Sequence, residues 1–225
     1  MPNLDLMAEL LPSLLSIIDL IAAAVFATTG ALVASRKQMD IVGFLWLGVV
    51  TGVGGGTLRD LILGVPVFWV ENTMPVIVCL IISAIVYFAA HLIQNRYRLI
   101  LWLDAAGLAL FAVAGADKAL DVNADPLVAV VMGVISATAG GVIRDILGQE
   151  PSIILRREIY VTAAALGAVI FVLLSTLGQP PIAATLIAFF VAFAIRGLAI
   201  AFGWSLPIYR ARPGRDVHAR EHDKP

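Results

Sequence analysis

The sequence predicts an all-α membrane protein: seven transmembrane helices, built as two inverted three-helix repeats with a seventh helix outside the symmetry. Three observations predict it. Hydrophobic residues make up 60% of the 225 positions and charged residues 14%, with a mean hydropathy of +0.97, whereas soluble domains carry about 45–50% apolar and about 25% charged residues. The apolar residues fall into stretches long enough to cross a bilayer, and the basic residues fall in alternate loops. The chain also repeats itself at a spacing of 85 residues.

A crossing helix needs about 20 apolar residues. This places spans near 16–35, 41–64, 70–93, 99–117, 126–148, 158–177 and 181–203. Residues 159–195 carry no charge, which is too long for one helix, and "GQPP" at 178–181 divides them with a turn. Arg36 and Lys37 follow the first span, Arg96 and Arg98 the third, Arg156 and Arg157 the fifth, and Arg210, Arg212, Arg215, Arg220 and Lys224 the seventh. Lys and Arg favour cytoplasmic loops, so the N-terminus is expected outside and the C-terminus inside. The expected organisation is one transmembrane domain over 1–205, comprising repeat one at 16–93, repeat two at 99–177 and the seventh helix at 181–203. A basic cytoplasmic tail follows at 206–225.

The repeat is ungapped. From Asp19 and Asp104 to Pro66 and Pro151, 15 of 48 aligned positions are identical. Alanine identities mean little in this composition. The informative ones are Gly55 and Gly56 with Gly140 and Gly141, Arg59 and Asp60 with Arg144 and Asp145, and the two prolines. Three spans per repeat is an odd number, so the second copy enters the membrane upside down. Inverted repeats of this kind build transporters and channels whose sites lie near the midplane, where helices are interrupted.

The glycines Gly54, Gly55, Gly56, Gly140 and Gly141 lie about 14 residues into the second and fifth spans, roughly 21 Å along each helix and past the midplane. They are expected to kink or locally unwind those helices, freeing backbone carbonyls that must then face protein or water. The other reading is close helix packing over small residues. One turn further on, the charges are expected to form two symmetry-related clusters: Asp19 with Arg59 and Asp60 near the outer face, Asp104 with Arg144 and Asp145 near the inner one. Charges in a membrane face a bundle interior and pair, or else snorkel to headgroups. Arg196, deep in the seventh span, either joins the inner cluster or snorkels. Thr28, Thr29, Thr51, Ser136 and Thr138 are candidates for facing a path, and Trp46, Trp69, Trp102 and Trp204 read as interfacial anchors.

Cys79 is the single cysteine and reads as a small buried hydrophobe. The three histidines, His91, His218 and His222, are scattered. No nucleotide-binding loop, zinc spacing or nucleophile elbow is present, so an enzyme is not expected, nor a cofactor, a metal site or a nucleic-acid partner. Membrane lipids are the expected surroundings. The architecture accommodates a passive cation channel, a secondary transporter of a small solute such as glycine, or a structural membrane protein. The duplicated Arg-Asp pairs argue against the last.

The blocks "GGGTLRDLILG" and "GGVIRDILG", within two three-helix repeats and a seventh helix, resemble the trimeric intracellular cation channel family, in particular its bacterial members. These are also described as an uncharacterised membrane family with a glycine-transporter-like domain. The likeness covers the chain to about residue 205. It implies a homotrimer in a bacterial cell membrane, with a potassium-conducting pore in each protomer between the repeats. The broken second and fifth helices would line that pore. Carried onto this chain, Gly54, Gly55, Gly56, Gly140 and Gly141 are the kinks, Thr51 and Ser136 line the constriction, and the Arg-Asp pairs stand at the two mouths. The animal members' Lys-Glu-Val lipid-binding motif is absent, "GGTLRD" standing in that region, so phosphoinositide regulation is not implied.

Overall fold

The computed structural model describes residues 2–93, 95–151, 159–205 and 207, with the backbone alone described for 2–16. The helices are α1 (Pro2–Arg36), α2 (Ile41–Leu63), the single turn α3 (Phe68–Glu71), α4 (Met74–Ala89, prolonged by a 3-10 turn at Ala90–Leu92), α5 (Arg96–Asp121), α6 (Pro126–Leu147), α7 (Val161–Thr176) and α8 (Pro181–Phe202). Six of them hold apolar stretches long enough to cross a bilayer. At 16 residues α7 spans about 24 Å, just short of the roughly 30 Å hydrocarbon core. Arg156, Arg157 and the expected basic tail from 206, apart from Pro207, lie outside the described residues.

Caps explain most boundaries. Asp40 and Asp125, matched across the repeat, cap α2 and α6 by accepting from Gly43 N and Leu127 N, each at 2.8 Å. Gly64 and Gly203 close α2 and α8 in the left-handed conformation, at φ 68° and 67°. The third span differs from its expected bounds of 70–93. The polar stretch Glu71-Asn72-Thr73 interrupts it, with Asn72 extended and its side chain accepting from Met74 N at 3.1 Å, and α4 restarts with Pro75 in its first turn. The fourth span is longer than 99–117, because α5 continues through Lys118 to Asp121.

Helices α1, α2, α5 and α6 form the centre, α4 packs on α1 and α2, α7 packs on α5 and α6, and α8 packs on α7 and α5. The second set of three is inverted. The C-terminal end of α1 meets the C-terminal end of α6 and the beginning of α5: Arg36 and Lys37 reach Glu150 at 3.5 and 3.6 Å, and Arg36 lies 5.0 Å over the Tyr97 ring. The buried centre is rich in alanine, including Ala23, Ala27, Ala31, Ala105, Ala112, Ala116 and Ala137, all fully buried. Small side chains let helices approach closely where apolar surroundings supply no hydrophobic drive to pack. Large apolar residues such as Leu61, Ile62, Phe88, Leu127, Phe190 and Phe202 point outward.

One expectation is corrected here. Neither α2 nor α6 unwinds at its glycines, and both are continuous α-helix throughout. The glycines serve close approach instead. A Cβ on Gly55 would overlap the carbonyl oxygen of Ser136, and one on Gly140 would lie 2.6 Å from the carbonyl oxygen of Thr51. The two helices therefore cross backbone against backbone, and the crossing is reciprocal under the internal symmetry.

Candidate functional site

The crossing of α2 and α6 is the centre of the candidate site, and the two charged clusters lie on either side of it. Eight residues separate Thr51 from Arg59 on α2 and Ser136 from Arg144 on α6, roughly 12 Å in each case. The helices run in opposite directions, so the two arginines sit on opposite sides of the crossing.

In the first cluster Arg59 of α2 is fully buried. Its Nε donates to Asp60 Oδ1 at 2.8 Å, and its two terminal nitrogens donate to the two oxygens of Asp19 on α1, at 3.2 and 3.3 Å. Asp60 Oδ2 accepts from Phe68 N at 2.9 Å, which ties the short α3 to the cluster, and the Arg59 guanidinium lies 5.6 Å over the Phe68 ring. Gly56 makes room for that ring, since a Cβ there would meet it at 2.6 Å. Asp19 stays 17% exposed. Asp117 of α5, half-buried in the other repeat, lies within electrostatic reach of Asp19 and Arg59. It has no counterpart in repeat one, where the matched residue is Leu32.

In the second cluster Arg144 of α6 donates from Nη1 to Asp104 Oδ1 of α5 at 2.7 Å, and from Nε and Nη2 to Asp145 Oδ1 at 3.0 and 2.9 Å. Its Nη1 also reaches Thr29 Oγ1 of α1 at 3.0 Å, a bond that joins the repeats. Arg144, Asp104 and Asp145 are 1%, 0% and 3% exposed. A recess of about 20 Å³, room for roughly one water, reaches Arg144 and Asp145 from beside Arg36 and Glu150. Two carboxylates on one guanidinium give each trio a formal charge of −1.

Arg196 does not snorkel: it is fully buried, donates to Ile159 O at 3.2 Å and stacks 5.2 Å over the Tyr160 ring. Through Tyr160 it adjoins the second cluster. The sequence reading missed Tyr160, Phe68 and Asp117. Aromatic residues near span ends read as interfacial anchors, and the charge of Asp117 was the one available signal that it lies near the first cluster.

The hydroxyls at the crossing are buried. Thr51 donates to Leu47 O on its own helix, and Thr138 to Val134 O at 2.8 Å. Ser136 Oγ has no hydrogen-bond partner. Gly30 sits on Thr51 as Gly115 sits on Ser136, a Cβ falling 2.6 and 2.5 Å from the respective side-chain oxygens. Among the described residues no group of three or more His, Cys, Asp or Glu side chains could hold a metal ion.

The family model described as "Glycine transporter" matches the chain twice, at residues 16–91 and 101–176. The two matches are offset by the same 85 residues as the internal repeat. The UPF0126 inner membrane protein YadS of Escherichia coli (strain K12) is 41% identical over 198 residues, covering 85% of this chain and 94% of that protein. Crystal structures of the trimeric intracellular cation channel orthologue from Rhodobacter sphaeroides are similar at TM-score 0.83 and 52% identity, covering 85% of this chain and 100% of that one. A prokaryotic channel of the same kind, crystallised in 0.5 M KCl, is similar at TM-score 0.80 and 30% identity over 86% and 99% of the two chains. With this sequence likeness, a common fold and a duplicated Arg-Asp block, the chain is a multi-pass membrane protein that belongs to the trimeric intracellular cation channel family.

Proposed function

We propose that the protein is a cation channel that conducts potassium through a path within each protomer, between the two repeats and along α2 and α6. The observation that carries this reading is the reciprocal crossing at Gly55 and Gly140, flanked on each side by a buried arginine clamped between aspartates. The likeness to channels that transport cations supports it. Because α2 and α6 are continuous, their carbonyls are engaged within the helices, so carbonyls freed at kinks do not supply the ion's ligands in this conformation. Thr51 and Ser136 are the oxygen donors placed at the crossing. Arg59 and Arg144 close the two ends: unpaired they would repel a cation, and paired with aspartates they are neutralised and act as latches that must release for ions to pass. Binding along such a path has to be weak enough for ions to leave.

By the same likeness the assembly is a homotrimer surrounded by membrane lipids, sited in a bacterial inner membrane. The distribution of Lys and Arg supports an outside N-terminus and a cytoplasmic C-terminus. The second reading, a secondary transporter of a small solute such as glycine, is favoured by the description of the matching family model. Reconstitution separates the two. In a planar bilayer under asymmetric KCl, a channel produces unitary currents reversing near the potassium potential. Electrical silence together with saturable glycine uptake into liposomes establishes the transporter instead.

A further inference from the structure

Helix α1 carries a partner for each latch. Asp19 accepts from both terminal nitrogens of Arg59, at 3.2 and 3.3 Å. Ten residues further along the same unbroken helix, about 15 Å on, Thr29 Oγ1 accepts from Arg144 Nη1 at 3.0 Å. Thr29 is fully buried, and its hydroxyl hydrogen is committed to Phe26 O on its own helix at 2.7 Å. The oxygen is therefore left to accept, which is what a guanidinium requires. The bond crosses between the repeats, since Thr29 belongs to repeat one and Arg144 to repeat two. At the other end no such bond crosses. The residue matched to Thr29 is Ala114 of α5, which has no hydroxyl, and among the described residues Arg59 donates only to Asp19 and Asp60 of its own repeat.

A buried hydrogen bond to a charged group is worth more than a neutral one, and an N–H left without an acceptor there is costly. Arg144 therefore cannot leave its place without breaking its bond to α1 or drawing α1 with it. Displacing α1 in turn disturbs Asp19 and its hold on Arg59. The ion pairs from the end of α1 to repeat two, Arg36 and Lys37 with Glu150, involve cations about one-third exposed and are weak by comparison. From these relationships we propose that Thr29 is a positioning residue for gating: by bonding Arg144 it ties the inner latch to α1, and α1 transmits the release of one latch to the other. Both bonds hold α1 in its closed position. When either is lost, the helix is held by one only, and the other latch releases more readily. Coupling of this kind is reciprocal, so it acts in the same measure from either end. Helix α5 does not repeat the arrangement, because Ala114 has no group that could bond Arg59.

The coupling rests on the latch reading above, and the two can fail separately. Single-channel recordings in KCl test both, with the ratio of open to closed time as the measure. Thr29→Val keeps the shape of the side chain and removes the acceptor, which leaves one buried N–H of Arg144 unpaired in the latched state. It is expected to raise the ratio about tenfold, at unchanged unitary current. Thr29→Ser keeps the hydroxyl and is expected to stay near the wild type. A residue that only filled space would give the opposite order, since serine loses the methyl group and valine keeps the volume. Asp19→Asn and Asp104→Asn, singly and together, then measure the coupling between the two ends. Non-additivity of about fivefold or more is expected with Thr29 in place, and none in the Thr29→Val background. An unchanged ratio or a smaller current in Thr29→Val, an equal rise in Thr29→Ser, additive effects with Thr29 in place, or coupling that persists in Thr29→Val overturns the proposal. Asp104→Asn and Arg144→Gln both gating like the wild type overturns the latch reading itself, whatever Thr29→Val does. Should Thr29→Val not assemble, Thr29→Ala removes the same acceptor with a smaller side chain, and the same outcomes decide.

Discussion

Gly140 of α6 rests against the backbone of Thr51 of α2, and Gly55 of α2 rests in the same way against Ser136 of α6. Gly55 and Gly140 are one pair of repeat-related positions, and Thr51 and Ser136 are another. The contact is thus a single interaction used twice about the internal two-fold. It sets the distance between the helices that the two arginines flank, and so positions both charged clusters relative to each other.

A methyl group at either glycine pushes the two backbones apart. Gly55→Ala and Gly140→Ala are expected to lose about 1–3 kcal/mol by overpacking, seen as a lowered thermal midpoint of the purified protein. At Gly54 the nearest obstacle is the end of the Ile143 side chain at 3.0 Å, which can turn aside, so Gly54→Ala is expected to be far milder. Were all three alanine variants equally stable, the crossing would not depend on backbone contact.

These glycines mark the boundary of what one dimension reveals. A run of glycine looks the same whether a helix opens or another backbone lies against it. The deciding partner of Gly55 is Ser136, on the other repeat, and the sequence does not name it. The repeat, the spans and the grouping of Asp19 with Arg59 and of Asp104 with Arg144 were readable, because Arg and Asp are too costly in lipid to stand alone and recur at one spacing. Arg196 was ambiguous because what holds it is a loop carbonyl and an aromatic ring, and neither leaves a charge pattern. Phe68 and Tyr160 lie near span ends, where an aromatic residue has a sufficient explanation as an anchor.

The two arginines are buried to different degrees with their partners, and their removal is expected to reflect it. Truncating one member of a buried ion pair costs about 3–5 kcal/mol, since the other charge remains buried. Arg144→Gln leaves Asp104 and Asp145, which are 0% and 3% exposed, and is expected near the top of that range. Arg59→Gln leaves Asp60 buried but still bonded to Phe68 N, and Asp19 with access to water, and is expected to cost less. Denaturation in one detergent orders the two variants, and the reverse order contradicts the account of a dry inner and a wetter outer cluster. The gating side of the outer latch is tested by a cycle of Asp19→Asn and Arg59→Gln. Strictly additive effects on open probability would mean that the two groups are uncoupled.

The ion pairs of Arg36 and Lys37 with Glu150 make a contrast. They join the ends of α1 and α6, but both cations are about one-third exposed and the distances are 3.5 and 3.6 Å. Exposed pairs of this kind contribute little and are screened by salt. Glu150→Gln is expected to change stability by less than about 0.5 kcal/mol, with any effect vanishing in high salt. A large loss would show that this contact, rather than the crossing, sets how the repeats meet.

The path itself is tested at the two hydroxyls. Ser136 Oγ is fully buried and makes no hydrogen bond, so it contributes little to holding α6 in place. Ser136→Ala is therefore expected to leave the thermal midpoint level or slightly raised. Thr51→Val keeps the shape of the side chain and loses only the bond to Leu47 O within its own helix, again a small cost. If ions pass the crossing, each change removes one of the few oxygens that can replace water around a potassium ion there. Unitary current is then expected to fall in both variants, most in the double variant, while open probability changes little because the arginine clusters are untouched. Currents of wild-type amplitude in all three variants would place the path elsewhere than along Thr51 and Ser136.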